Sequence, residues 1–144
     1  MKSLFPNPAN QLSLEERKAH AELMVIIASI DGELVQEELV IIESLMGVSM
    51  LHPEMRVDIR NMLSNPSNFE EVVSPLSKQV LKIALRDGAL VAAVDGSYDK
   101  KELKILKSLA KLADVDDKVL SELFEWVEET WMQYKKGESI LSIS

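Results

Sequence analysis

Apolar residues recur every three or four positions along almost the whole chain, which is the periodicity of helices with one buried face. The last segment shows this most clearly, with apolar side chains at positions 120, 123, 124, 127 and 131. Two stretches, Leu23–Ile30 and Gly88–Val94, are apolar on nearly every side, which is typical of helices at the centre of a bundle. No stretch shows a convincing strand pattern. The pattern predicts an all-α fold of about seven helices, one of them short.

Start and stop signals place these helices along the chain. Capping boxes begin at Ser13, Asn68 and Asp99, and Pro53 suits a first helical position. Gly88 lies inside a predicted helix, where it permits either close packing or a bend. The predicted helices run over about 14–30, 36–46, 53–64, a short segment after Asn68, 75–94, 100–113 and 117–136. The predicted organisation is an N-terminal extension over 1–12, one helical domain over 13–136, and a tail from Gly137 over 137–144.

The chain contains an internal duplication. Residues 19–46 align without gaps on residues 83–110, at an offset of 64, and eight positions are identical. The most similar segments read IASIDGELVQEELVIIESL and VAAVDGSYDKKELKILKSL. Each unit is a buried helix, an Asp-Gly turn and an amphipathic helix. Because one such hairpin cannot bury its apolar face alone, we expect the two to pack about a pseudo-two-fold axis.

Composition and charge exclude several functions. The formal net charge of −8 disfavours nucleic-acid binding, and the absence of cysteine excludes disulfides and thiolate chemistry. The start of the chain lacks the apolar region of a signal peptide. The longest apolar run is far shorter than the roughly 20 residues that span a bilayer. We therefore expect a soluble cytoplasmic protein that does not insert into membranes.

The acidic residues at the two Asp-Gly turns are the candidate chemistry. Asp31 and Asp95 follow predicted helices, where the helix dipole disfavours a carboxylate. A Ca²⁺ or Mg²⁺ ion, or a Lys or Arg from elsewhere, would offset this charge. Glu38 and Glu102 are the other candidate metal ligands. Both also have a simpler explanation, since Glu38 lies in a first helical turn and Glu102 is the third residue of a capping box.

The motif Asp-Gly-x(5)-Glu after an apolar helix, given twice in an all-helical chain, resembles the tellurite-resistance TerB-like family. The resemblance covers about Glu15–Glu128. It implies a bundle of about seven helices with an internal duplication, a link to tellurite and other stress resistance, metal binding through acidic residues and action beside a membrane protein. The family motif falls on Asp31, Gly32 and Glu38, and on Asp95, Gly96 and Glu102. The second turn departs from the first, with Ser97 in place of Glu33.

Other candidates have simpler interpretations. Residues 114–125 superficially resemble a calcium loop, but Lys118 and Val119 occupy its fifth and sixth places. An N-cap followed by a helix explains them. His20 and His52 are expected at the surface or its boundary, and Trp131 is expected in the core. The sequence does not assign Trp126 to either the core or the surface.

No nucleophile–base pair can be nominated, so no enzymatic activity is expected. The first functional interpretation is a TerB-like stress protein that binds a divalent cation and acts with a protein partner, with a membrane protein among the candidates. The alternative is a metal-free module whose acidic face binds a basic protein surface, as in a scaffold or a co-chaperone-like adaptor.

Overall fold

The computed structural model describes residues 12–30, 39–44, 52–62, 65–93 and 98–143. All regular structure in these ranges is helical, which confirms the predicted all-α bundle. No helix among the described residues combines the length and the apolar content needed to cross a bilayer. The helices are α1 (Leu14–Ser29), α2 (described over 39–44), α3 (Pro53–Asn61), α4 (Phe69–Val73), α5 (Lys78–Ala92), α6 (Lys100–Leu112) and α7 (Asp117–Leu141).

Helices α1 and α5 form the centre of the bundle. They pack against each other, α1 also contacts α3, α4 and α6, and α5 also contacts α6 and α7. Both are buried on most sides, with side chains such as Leu23, Ile27 and Val91 fully removed from solvent. This placement is the one that the nearly continuous apolar sequence of their second halves predicts, because a helical segment without a polar face is stable only when it is surrounded.

The internal duplication extends to the starts of these two helices. Ser13 caps α1 and Ser77 caps α5, and these serines lie 64 residues apart, at the offset of the repeat. Each side chain accepts a hydrogen bond from the backbone N–H three residues on. The predicted start of α5 at Ser74-Pro75 is wrong. Ser74 ends α4, and the chain becomes extended again only at Ser77, where an N-cap requires it.

Gly88 lies where α5 crosses α1. A Cβ at this position would approach Ile27 Cδ1 to 2.5 Å and Met24 Cε to 3.7 Å. Of the two sequence interpretations, the structure therefore shows close packing. Met24 and Gly88 are equivalent positions of the repeat, and equivalent positions that approach each other indicate that the pseudo-two-fold axis passes near this crossing.

The ends of α6 follow standard capping rules. Asp99 accepts from the Lys101 N–H, and its own N–H donates to Glu102 Oε1, so the predicted capping box is confirmed. At the other end Asp114 adopts a left-handed conformation with φ 58°. The N–H of Val115 donates to the Ala110 carbonyl, as in a Schellman motif. The Asp114 carboxylate also forms an ion pair with Lys78.

Helix α7 begins as predicted and ends later than predicted. Asp116 accepts from the Val119 N–H, which confirms the N-cap interpretation of the calcium-loop-like segment. The predicted end of the helix near Gly137 is wrong, since α7 continues to Leu141 and the left-handed residue is Ser142, at φ 55°. Trp131 lies partly buried against the core, as predicted, and its Nε1–H donates to the Leu90 carbonyl at 3.1 Å.

A charged contact joins α2 to α3. Arg60 donates from Nε and Nη2 to the two carboxylate oxygens of Glu43, at 2.7 and 2.9 Å, and Arg56 lies 3.8 Å from the same carboxylate. The hydrogen bond from Arg60 is the main cause that holds the pKa of Glu43 below its ordinary value of 4.5. These two hydrogen bonds from one guanidinium stabilise the ionised carboxylate more than a single hydrogen bond does.

The Glu43 contact predicts part of the acid sensitivity of the fold. Because its pKa is lowered in the folded state, ionised Glu43 adds stability above about pH 4.5, and this contribution is lost as the pH falls through the folded-state value. Glu43→Gln should therefore be less stable than wild type at pH 7, and the gap should narrow below pH 4.5.

Urea denaturation at a series of pH values measures this gap. Glu22, whose pKa burial raises, contributes with the opposite sign but is common to both proteins. Glu125→Gln, at an exposed position in the middle of α7, is the matched control and should follow wild type. A Glu43→Gln gap that stays constant with pH would contradict the assignment.

Candidate functional site

Of the four predicted metal ligands, the structure describes one. Asp31, Glu38 and Asp95 lie outside the described residues. Glu102 is the third residue of α6, 5% exposed, and its Oε1 accepts the Asp99 N–H at 3.0 Å. Its predicted capping role is confirmed, and its role as a metal ligand stays a prediction. Among the described residues alone, no group of three or more His, Asp or Glu side chains could hold a metal ion.

Tyr98 fixes the chain where it leaves the second Asp-Gly turn. Its ring packs on Phe124 with centroids 4.8 Å apart, and its O–H donates to the Ala89 carbonyl at 3.4 Å. Burial above all, and then the charges of Glu102 and Glu128, raise the pKa of Tyr98 well above its ordinary value. Tyr98 is therefore a neutral hydrogen-bond donor at physiological pH, and it ties the start of α6 to α5 and α7.

The two helices that precede the Asp-Gly turns share an electrostatic feature. Neither α1 nor α5 carries a basic residue in its last turn. The partial negative charge at each of these helix ends is thus not offset by a cation of the same turn, and an aspartate follows closely in the sequence both times.

A buried histidine–aspartate pair lies at the α1–α5 contact. His20 Nε2 is 2.8 Å from Asp87 Oδ2, and the two residues are 1% and 0% exposed. Arg86 Nε donates to the other Asp87 oxygen at 3.0 Å. The Arg86 guanidinium in turn lies 5.8 Å from the centre of the Trp126 ring. These contacts form a continuous series of polar interactions from α1 through α5 to α7.

The burial of this pair decides its role. A histidine beside an aspartate is also the arrangement of a general base in hydrolases. A general base must reach its substrate, and at 0–1% exposure neither His20 nor Asp87 does so in this conformation. The geometry instead fits a satisfied polar contact that holds two core helices in register.

Sequence reasoning missed this pair. The prediction that His20 lies at the surface or boundary is wrong, whereas His52 is exposed as predicted. The sequence did indicate that Asp87 is buried, because Ile83, Ala84 and Val91 are apolar and lie at helical spacing around it. An acidic residue in the middle of an apolar helix face requires a partner when it is buried.

Helix α6 concentrates positive charge on an otherwise acidic chain. Its five lysines are exposed, and its single acidic residue, Glu102, is buried. Leu103, Lys104, Lys107, Ser108 and Lys111 border a shallow groove with Lys100 along this surface. The described surface therefore carries a local basic face as well as acidic ones.

No protein-family model, no curated protein and no solved structure matches the chain. Its function must therefore be inferred from its own residues and contacts.

Proposed function

We propose that the protein is a non-catalytic, cytoplasmic TerB-like domain that binds a divalent cation at its two Asp-Gly turns and acts in a tellurite or related stress response with a protein partner, a membrane protein among the candidates. One observation carries this proposal. Both duplicated central helices, α1 and α5, end without a basic residue in the last turn and are closely followed by an aspartate. A bound cation would offset the charge at both places.

The chemistry of these turns suits a hard cation. Ca²⁺ and Mg²⁺ prefer oxygen ligands from carboxylates and backbone carbonyls. Asp31, Asp95 and Glu38 supply carboxylates in the sequence, and the last carbonyls of a helix have no partner within the helix itself. Glu102 would contribute beside its capping role. The duplication, with its matched serine caps at Ser13 and Ser77, supports two related binding turns.

Isothermal titration with Ca²⁺, Mg²⁺, Mn²⁺ and Zn²⁺ tests the cation proposal. We expect binding of a hard cation by wild type and a loss of affinity of about tenfold or more in Asp31→Asn with Asp95→Asn, because second-sphere changes alone already cost 10–100-fold. The matched control is Asp58→Asn with Asp117→Asn, which removes two charges at exposed positions. The absence of binding, or equal affinity in both double variants, would rule out this site.

A second function has one specific observation in its favour. Glu102 is used by the helix cap, and the described surface carries both a lysine face on α6 and exposed glutamates on α7. The exposed glutamates would form the acidic face by which a metal-free interaction module, such as a scaffold or a co-chaperone-like adaptor, binds a basic protein surface. Partner capture by the immobilised protein that survives EDTA but is lost at high salt would favour this module over the cation-dependent function.

A further inference from the structure

The second half of α7 extends away from the body of the bundle. The helix has 25 residues and is about 37 Å long. Its first half packs on the core through Leu120 and Val127, and Trp131 is the last residue that packs against the core. Every residue from 132 to 143 is exposed. Large apolar side chains are among them, with Met132, Tyr134, Ile140 and Leu141 between 61% and 71% exposed.

One face of this half has the spacing of a helix–helix contact. Its positions alternate in steps of four and three residues, as along the seam of a coiled coil. This seam is about a third of a turn around α7 from the side that packs on the bundle. The Thr130 hydroxyl on this seam donates to the Trp126 carbonyl, so Thr130 needs no hydrogen-bond acceptor from a partner helix. The seam consists of Trp126, Thr130, Gln133, Gly137 and Ile140.

Gly137 supports the approach of another helix to this seam. Glycine inside an exposed helix costs about 1 kcal/mol relative to alanine. No atom of the described residues lies within 4 Å of the place where a Gly137 Cβ would be, so the glycine makes room for no side chain in the described part of the chain. The contrast is Gly88, which lies in the same kind of helix interior and admits a side chain of α1. A second helix against Gly137 would give it the same purpose.

The charges beside the seam identify the helix that fits. Glu129 and Lys136 lie along one edge of the seam, and neither forms an ion pair with any described residue. When two α7 helices lie antiparallel with Gln133 at the centre, Glu129 faces the partner's Lys136 and Lys136 faces the partner's Glu129. Trp126 then faces the partner's Ile140. The apolar and charged positions thus complement a second copy of the same sequence, as an isologous contact requires.

We propose that two copies of this chain associate through an antiparallel contact between their α7 helices, centred on Gln133, with Gly137 allowing close approach one turn to either side of the centre. The contact buries the seam and forms two Glu129–Lys136 ion pairs. It is independent of cation binding at the Asp-Gly turns.

Charge reversal tests the pairing in the full-length protein by analytical ultracentrifugation. Wild type should dimerise. Glu129→Lys alone and Lys136→Glu alone should each weaken the dimer by about tenfold or more, because each places like charges together twice and like-charge contacts cost several kcal/mol. An equimolar mixture of these two variants should form a heterodimer with both ion pairs restored. Glu128→Lys, on the opposite face of α7, is the matched control and should dimerise as wild type does.

Cross-linking gives a second, independent measurement. The chain has no cysteine, so Gln133→Cys introduces a single thiol at the proposed centre. Mild oxidation should link two copies there, because the two positions meet at disulfide distance. Lys135→Cys on the opposite face should give far less linked dimer. A wild type that stays monomeric at the highest concentration measured, equal cross-linking at both positions, or charge reversal without effect would overturn the proposal.

Discussion

His20→Ala and Asp87→Leu are each expected to lower the free energy of unfolding by about 3–5 kcal/mol, because each removes one partner of a buried polar contact that includes a carboxylate. The first change leaves the Asp87 carboxylate, which is 0% exposed, with only Arg86. The second leaves the buried imidazole of His20 without its hydrogen bond. In both cases a polar group stays in the core without the contact that compensates for its lost hydration.

Combining the two changes should restore much of the lost stability. The repeat itself suggests this pair of replacements, because Ala84 and Leu23 occupy the positions equivalent to His20 and Asp87, and both are fully buried. The double variant places the same two residue types, alanine and leucine, at the His20 and Asp87 positions and keeps a similar total side-chain volume. Replacing both partners of a buried pair by apolar residues is often neutral or stabilising. We therefore expect the double variant to cost only about 2–3 kcal/mol, which corresponds to a coupling energy of about 4–7 kcal/mol between the two sites, because each single variant leaves a buried polar group without its partner.

Urea denaturation of the four proteins measures this cycle, with Trp126 and Trp131 as fluorescent probes. His52→Ala replaces the chain's other histidine at an exposed position and should change stability by no more than about 0.5 kcal/mol. If the two single variants resemble His52→Ala, or if their costs simply add in the double variant, the His20–Asp87 contact does not stabilise the fold as proposed.

The fold was largely predictable because its signals are local. Apolar periodicity and the capping residues Ser13, Asp99 and Asp116 depend only on neighbours in the chain, and the structure confirms the helices that they predict. The errors have local causes too. Ser74 precedes a proline and resembles a helix start, whereas Gly137 resembles a helix end although glycine also remains helical when no left-handed turn follows.

The polar core was not predictable in the same way. Periodicity assigns His20 to a helix and Asp87 to another, but it does not say which faces of the two helices meet. Only the crossing of α1 and α5 brings these side chains within 2.8 Å. Of the predicted cation ligands, Glu102 was correctly explained as a cap, because capping is local. Asp31, Glu38 and Asp95 stay predictions, since they lie outside the described residues.

The same crossing shows how the two halves of the repeat differ. Three equivalent pairs have diverged there: Met24 with Gly88, His20 with Ala84, and Leu23 with Asp87. A symmetric apolar contact between two similar helices would tolerate sliding, whereas a single polar pair and a single glycine fit only one register. We infer that divergence at this crossing fixes the register of α1 against α5, a role that buried polar groups have in other helix pairs.

Gly88→Ala is expected to lower the free energy of unfolding by about 1–2 kcal/mol. The added methyl group would lie 2.5 Å from Ile27 Cδ1, so a side chain that is 0% exposed must move within a filled core. Overpacking of this kind costs about 1–3 kcal/mol. The higher intrinsic helix preference of alanine over glycine offsets up to about 1 kcal/mol of this cost, so the net effect is a loss of stability.

Two further variants separate these contributions. Ile27→Val removes the Cδ1 atom that the new methyl group would meet, at a cost of its own of about 0.5–1.5 kcal/mol. In that background Gly88→Ala should be neutral or stabilising. Gly137→Ala makes the same change where no atom of a described residue lies within 4 Å, and it should stabilise the protein by up to about 1 kcal/mol when measured at low concentration, where the chain is monomeric. If Gly88→Ala stabilises wild type as much as Gly137→Ala does, the core has room at the crossing, and Gly88 does not fix the register of the two central helices.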